Sequence, residues 1–146
     1  MSKWETRLIR MGLVYLLLTG LLGLFFFIFP QHAWAFRTTH VHLGVLGFFF
    51  SLGMGVAFWM MRRPGGLRQE RQEAAAFVLL NAGLILRSFT EPWLNLGGPP
   101  GLRYGLIASG ALLVATFALF AIAMNARVKT AEEIQRLRTA ARRTNE

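Results

Sequence analysis

The chain has 146 residues and a formal net charge of +9, and 54% of its residues are hydrophobic, including 13 Phe. A composition this apolar excludes an ordinary soluble domain. The sequence contains no Cys, which excludes a disulfide framework and thiolate ligation of a metal or an iron–sulfur cluster. A metal would therefore need His, Met, carboxylate or a prosthetic group.

Four apolar stretches are each long enough to cross the hydrocarbon core of a bilayer, which takes about 20 helical residues. They cover residues 11–29, 38–61, 74–93 and 104–126. We predict an all-α protein with a four-helix transmembrane domain over residues 1–126 and a basic, helical cytoplasmic tail over residues 127–146.

The first stretch follows basic residues and precedes Ala33, Trp34 and Ala35, a pattern that imitates a secretory signal peptide and its cleavage site. The apolar run is longer than the core of an ordinary signal peptide. We therefore expect a retained first helix.

The second stretch begins with two histidines in "HVHLGVLGFFFSLGMGVAFWMM", residues 40–61. Residues i and i+2 of an α-helix point about 200° apart, so His40 and His42 cannot chelate one ion from a regular helix. Gly44, Gly47 and Ser51 follow on the face of His40 and form a shallow groove. Such a groove either lets another helix approach closely or leaves room for a flat macrocycle whose iron the imidazole holds. The histidines alternatively meet only interfacial water.

The third stretch contains Arg87 and Glu91, four residues apart on one helix face, and we predict that they form an ion pair. They lie near the outer end of this helix, at about the depth of the histidines. The pair either neutralises itself, or Arg87 meets an acidic group of a ligand, such as a heme propionate beside His40. Asn81, nearer the middle of the membrane, is predicted to donate a hydrogen bond to another helix.

The fourth stretch is followed by a polar segment rich in helix formers, "RVKTAEEIQRLRTAARRTNE". We predict a solvated extension of the fourth helix that is attracted to anionic headgroups. A docking helix for a partner protein is the alternative.

The basic residues indicate the orientation of the four helices. They concentrate before the first stretch, between the second and the third, and after the fourth, whereas the other two loops carry only Arg37 and Arg103. The positive-inside rule then places both termini in the cytoplasm, in a multi-pass protein of the cytoplasmic membrane. Because the cations are split among three segments without interleaved aromatic residues, nucleic-acid binding is not indicated.

The segment of residues 40–61 resembles a helix of subunit I in heme-copper oxidases and the related nitric oxide reductases. In that family an H-x-H pair opens a helix rich in small residues, and its two histidines ligate two hemes on opposite sides. The resemblance implies that His40 and His42 are ligands of heme b iron, beside Gly44, Gly47 and Ser51, with Arg87 and Glu91 near the propionates.

The resemblance also implies an oligomer. The large subunit of the family consists of three arcs of four helices, so a homotrimer of this chain would imitate it, with His40 of one copy and His42 of the next around each heme. A dimer that shares heme across a twofold axis satisfies the spacing as well. The copper site of the family needs further histidines, and only His32 remains here, so neither oxygen reduction nor proton pumping is implied.

These observations favour a homo-oligomeric heme b membrane protein that transfers electrons, with the lipid bilayer around it and a respiratory-chain redox partner. One alternative is a five-coordinate heme protein that binds or reduces nitric oxide or oxygen. Another is a non-redox accessory or assembly subunit of a respiratory complex. A transporter ranks third, because the sequence shows no inverted repeat and little intramembrane polarity.

Overall fold

The computed structural model describes residues 1–61, 70–125, 127, 128 and 139. Within these residues every regular element is a helix. The elements are α1 (Lys3–Ile28), a 3-10 turn (Pro30–His32), α2 (Ala33–His42), a π-helical segment (Leu43–Phe50), α3 (Ser51–Met60), α4 (Glu70–Asn95) and α5 (Leu102–Asn125). The loop of residues 62–69 and nearly all of the predicted tail lie outside the described residues.

Four helical spans are long and apolar enough to cross a membrane, which indicates a multi-pass membrane protein. They are Lys3–Ile28, Pro30–Met60, Glu70–Asn95 and Leu102–Asn125. The prediction of four such helices is confirmed. Large apolar side chains point away from the protein, as in Phe27, which is 87% exposed, and Phe89, which is 74% exposed. A surface of this kind needs lipid or another apolar partner around it.

Helix α1 begins eight residues before the predicted apolar stretch of residues 11–29, because hydropathy detects the apolar part of a helix and not its polar first turns. Helix α1 begins after Ser2, whose side-chain oxygen accepts a hydrogen bond from the Glu5 backbone N–H at 3.1 Å. The Glu5 carboxylate in turn accepts from the Ser2 backbone N–H. This capping box satisfies two backbone donors and fixes the start of the helix.

The second span is one continuous rod made of α2, the π-helical segment and α3. The π-helical segment begins directly after His42. Such segments are rare, and they occur often at functional sites.

Helix α4 packs against α5 on one side and against the rod and α1 on the other. Toward α5, Ser109 donates a hydrogen bond to the Gly83 carbonyl at 2.9 Å, and a Cβ atom at Gly83 would lie 3.0 Å from Leu113 Cγ. Toward α1, the Tyr15 hydroxyl donates to Asn81 Oδ1 at 2.7 Å. The connection to α5 turns at Gly97, whose φ of +90° is unfavourable for other residues.

A buried polar network joins the helices at the end of the bundle where α1 begins. We call this end, which comprises residues 1–10, 58–61, 70–77, 124, 125, 127 and 128, the amino-terminal end. Ser2 donates from its hydroxyl to the Glu73 carboxylate, and Glu5 and Glu73 are 4% and 1% exposed. Arg127 donates to the carbonyls of Phe58 and Met61 at 3.3 and 2.9 Å. The sequence-based prediction placed Arg127 among the basic tail residues, whereas the structure buries it at 8% exposure.

Candidate functional site

The His42 imidazole is held by its own helix. Its Nδ1 lies 2.8 Å from the backbone carbonyl oxygen of Thr38. A carbonyl oxygen only accepts, so Nδ1 carries the proton and donates, and in the neutral ring Nε2 keeps its lone pair. Metal-ligating histidines are usually held in this way, with the other ring nitrogen donating to a carbonyl or a carboxylate.

His42 borders an exposed stripe of the rod. Side chains that share a face of the π-helical segment follow at steps of about four, and Val41, Val45 and Phe49 form a stripe that is 49%, 53% and 72% exposed. Leu46 and Phe50 follow His42 at the same step and are partly buried, with Phe50 packed on Phe117 of α5. His42 is itself half-buried and lies at the edge of the stripe that the described helices leave uncovered.

The His40 imidazole instead packs against α1. Its Cε1 atom lies 3.4 Å from the position of a Cβ atom on Gly23, and its ring centroid is 5.3 Å from that of Phe26. The Nδ1 atom is buried without a hydrogen-bond partner in the described part of the chain. Beside it, Thr39 is 4% exposed and its hydroxyl oxygen is likewise unpartnered there. Buried polar atoms in that state are uncommon and call for an explanation, such as an additional ligand or water.

The small-residue face below His40 is filled by α1. Thr19 Cγ2 lies 3.3 Å from the Cβ position of Gly44, and Tyr15 Cγ lies 2.6 Å from that of Gly47. The Ser51 hydroxyl donates to the Leu8 carbonyl at 2.8 Å. Of the two explanations for the groove, close helix approach is the one present in this chain. The space expected for a macrocycle is occupied, so Gly44, Gly47 and Ser51 serve helix packing.

Arg87 and Glu91 form the predicted ion pair, which is confirmed. The guanidinium donates through Nη2 to Oε1 at 2.9 Å and through Nε to Oε2 at 3.2 Å. The side chains are 22% and 11% exposed. This two-bond geometry neutralises the buried carboxylate.

The depth of the ion pair follows from the contact between α2 and α4. Asn95 donates from Nδ2 to the Ala35 carbonyl at 3.0 Å. The two helices are antiparallel. Each step of one residue toward the C-terminus of α2 therefore reaches the same depth as a step of one residue toward the N-terminus of α4. His40 and His42 then lie at the level of residues 90 and 88 of α4, which are between Arg87 and Glu91 in the sequence. We call this end of the bundle (residues 28–42 and 87–104) the histidine end.

Asn81 takes part in an interhelical hydrogen bond, but not as the donor that we predicted. Its Oδ1 accepts from Tyr15, and its Nδ2 donates to the Phe77 carbonyl of its own helix at 2.7 Å. Tyr15 also lies against Gly47. One phenol thus joins α1, the rod and α4 through a buried hydrogen bond.

His32 lies exposed in the 3-10 turn. Over residues 1–61 and 70–125 no three His, Cys, Asp or Glu side chains come together as ligands for a metal ion.

The buried network of Ser2, Glu5, Glu73 and Arg127 was missed by the sequence-based interpretation. A signal for part of it was present, since Ser2-x-x-Glu5 is the pattern of a capping box. The burial of Glu73 had no such signal, because its position against Ser2 depends on how α1 and α4 pack.

No protein family, curated protein or solved structure matches this chain. The resemblance to heme-copper oxidases therefore rests on residues 40–61 alone. The candidate site must be judged by its own geometry.

Proposed function

We propose that the chain is a homo-oligomeric integral membrane protein that binds heme b, with Nε2 of His42 as an axial ligand of the iron. The single observation that carries this proposal is the hydrogen bond from His42 Nδ1 to Thr38, which fixes the tautomer and leaves the lone pair on Nε2. Heme, when bound, supplies one-electron redox chemistry that the side chains of this protein lack.

The residues around His42 suit an apolar ring with acidic substituents. Val45 and Phe49 lie on the stripe beside His42, and both are free to pack against a macrocycle because they are exposed. Arg87 lies at the depth of His42 by helix register and would balance the charge of propionates. The protein would thus bind the cofactor, orient it and keep water from it, and a respiratory-chain protein would be its electron donor or acceptor.

An oligomer is proposed because the second axial ligand must come from elsewhere. His40 of the same chain lies against α1 and cannot meet the iron that His42 holds. In a dimer, His42 of each copy could supply one ligand across a twofold axis. The trimer implied by the resemblance instead pairs His42 with His40 of the next copy and requires His40 to turn away from Gly23 and Phe26.

The five-coordinate variant follows from the same observation. If His42 is the one axial ligand, the opposite position of the iron is open to nitric oxide, carbon monoxide or oxygen. The protein would then bind or reduce a diatomic gas.

A non-redox accessory subunit is the competing function, and one specific observation favours it. The small-residue face of the rod is explained completely by packing against α1. On this alternative the exposed stripe of Val41, Val45 and Phe49 contacts another membrane subunit.

An absorption spectrum of the detergent-purified protein, expressed with heme supply, tests these functions. We expect a Soret band, with sharp visible bands after reduction by dithionite if two imidazoles ligate the iron. A band that shifts with carbon monoxide would indicate the five-coordinate variant. A protein without a Soret band would contradict heme binding and leave the accessory function.

Cysteine labelling tests the proposed orientation, with both termini in the cytoplasm, because the chain has no thiol of its own. Gly101 lies exposed between α4 and α5, and a Cβ atom there meets nothing within 4 Å. Lys3 is exposed at the amino-terminal end. We expect a membrane-impermeant maleimide to label Gly101→Cys in intact cells and Lys3→Cys only after permeabilisation. The reverse pattern would contradict the orientation.

A further inference from the structure

One face of α1 carries three exposed cations at helical spacing, Lys3, Arg7 and Arg10. Two of them flank a single aromatic ring. Lys3 Nζ lies 5.7 Å and Arg7 Cζ lies 4.6 Å from the centroid of Trp4. The Trp4 ring is itself fixed by Phe77 of α4, with ring centroids 5.7 Å apart. The ring therefore holds both cations in defined positions.

The nearby carboxylates do not neutralise these cations. Glu5 and Glu73 turn into the bundle, where both contact Ser2. Glu70 is exposed at the start of α4, but it forms no ion pair with Lys3, Arg7 or Arg10 within the described residues. The fold thus buries Glu5 and Glu73 and leaves Lys3, Arg7 and Arg10 on the surface.

This arrangement is unfavourable unless an anion joins it. Like charges four residues apart on a helix, such as Lys3 and Arg7, repel each other. A guanidinium that lies over an indole ring still presents its N–H groups at its edge, and those groups match two oxygens of a phosphate. The backbone N–H groups of Ser2 and Glu5 are not the site, because the capping box already occupies them.

The same face continues toward the histidine end as exposed apolar side chains. Val14, Leu17, Leu21 and Leu24 follow Arg10 at steps of three and four and are 45%, 64%, 53% and 56% exposed. A phosphate held by the cations would therefore have a hydrocarbon surface directly below it. A phospholipid has the same order of groups, a charged phosphate followed by a hydrocarbon chain.

We propose that this face of α1 is a binding site for an anionic phospholipid, with the headgroup phosphate between Lys3 and Arg7 and an acyl chain along Val14 and Leu17. The site lies at the opposite end of the bundle from His42, so it does not depend on heme binding.

Native mass spectrometry of the full-length protein in detergent, titrated with phosphatidylglycerol or phosphatidylcholine, tests the proposal. We expect phosphatidylglycerol to bind more tightly. Each basic residue at an anionic lipid surface contributes about a fivefold factor in affinity. Arg7→Gln should therefore weaken phosphatidylglycerol binding about fivefold, and Lys3→Gln/Arg7→Gln should weaken it further. Trp4→Leu, which keeps the charge, should also weaken binding.

The matched control is Arg37→Gln/Arg103→Gln, which removes two exposed cations at the histidine end and should leave phosphatidylglycerol binding unchanged. Equal losses in the two double variants would overturn the proposal, because charge alone would then explain them. Retention of binding in Lys3→Gln/Arg7→Gln would also overturn it. Displacement of the lipid by an equal concentration of soluble glycerophosphate would show that the site recognises phosphate without the acyl chain.

Discussion

His42→Ala is expected to remove the Soret band from the purified protein, or to reduce the bound heme at least tenfold. Loss of a hydrogen-bonding group behind a metal-ligating histidine already costs about 10- to 100-fold in metal affinity, so loss of the ligand itself should cost at least as much. The measurement is the ratio of Soret to protein absorption after purification from heme-supplied cells, and the oligomeric mass is determined on the same samples.

Two other histidines provide controls for this experiment. His32→Ala should leave the spectrum unchanged, because His32 is exposed in the turn before α2. His40→Ala separates the two oligomers: a dimer ligated by two copies of His42 keeps its low-spin spectrum, whereas a trimer that pairs His40 with His42 loses one axial ligand. A wild-type spectrum in His42→Ala would disprove the proposed ligand.

Gly47→Ala is expected to destabilise the protein by about 1–3 kcal/mol, the usual cost of inserting a methyl group into a packed interior. The new Cβ atom would lie 2.6 Å from Tyr15 Cγ and 2.9 Å from Tyr15 Cβ. These atoms are at the root of the side chain, and the hydroxyl at its other end is bonded to Asn81. The ring therefore cannot swing away, and α1 must shift. Thermal unfolding in detergent measures the effect.

Gly53→Ala is the matched control on the same rod, because a Cβ atom there meets nothing within 4 Å. Replacing a glycine inside a helix by alanine stabilises it by about 0.5–1 kcal/mol when no contact is disturbed. We expect Gly53→Ala to unfold at the same or a higher temperature than the wild type. A fall as large as that of Gly47→Ala would contradict the assignment of Gly47 to the interface with α1.

The spans and the ion pair could be predicted because both depend on local sequence. A run of apolar residues and an Arg and Glu four residues apart fix their own geometry on a helix. The capping box of Ser2 and Glu5 is also local, although hydropathy alone does not reveal it. The start of α1 could thus have been read from the sequence.

The candidate site could be predicted only in part, because the surroundings of each site residue depend on which helix covers which face of the rod. Spacing places Gly44 and Gly47 on the side of His40, but it does not say that Thr19 and Tyr15 occupy that side. Likewise, the role of Asn81 as acceptor depends on the Tyr15 hydroxyl, which belongs to a distant segment. The π-helical segment has no simple sequence pattern, and Leu43 and Phe50 at its two ends have the φ and ψ values of an α-helix.

The π-helical segment has a consequence for how this protein can diverge. A π turn contains about one residue more than an α turn, so the loss of one residue between Leu43 and Phe50 can be absorbed when a π turn becomes an α turn. The helix on either side would then keep its orientation: the imidazoles would keep their neighbours, and Ser51 would keep its hydrogen bond to Leu8. One codon could thus be lost at this position without redirecting the side chains above or below it.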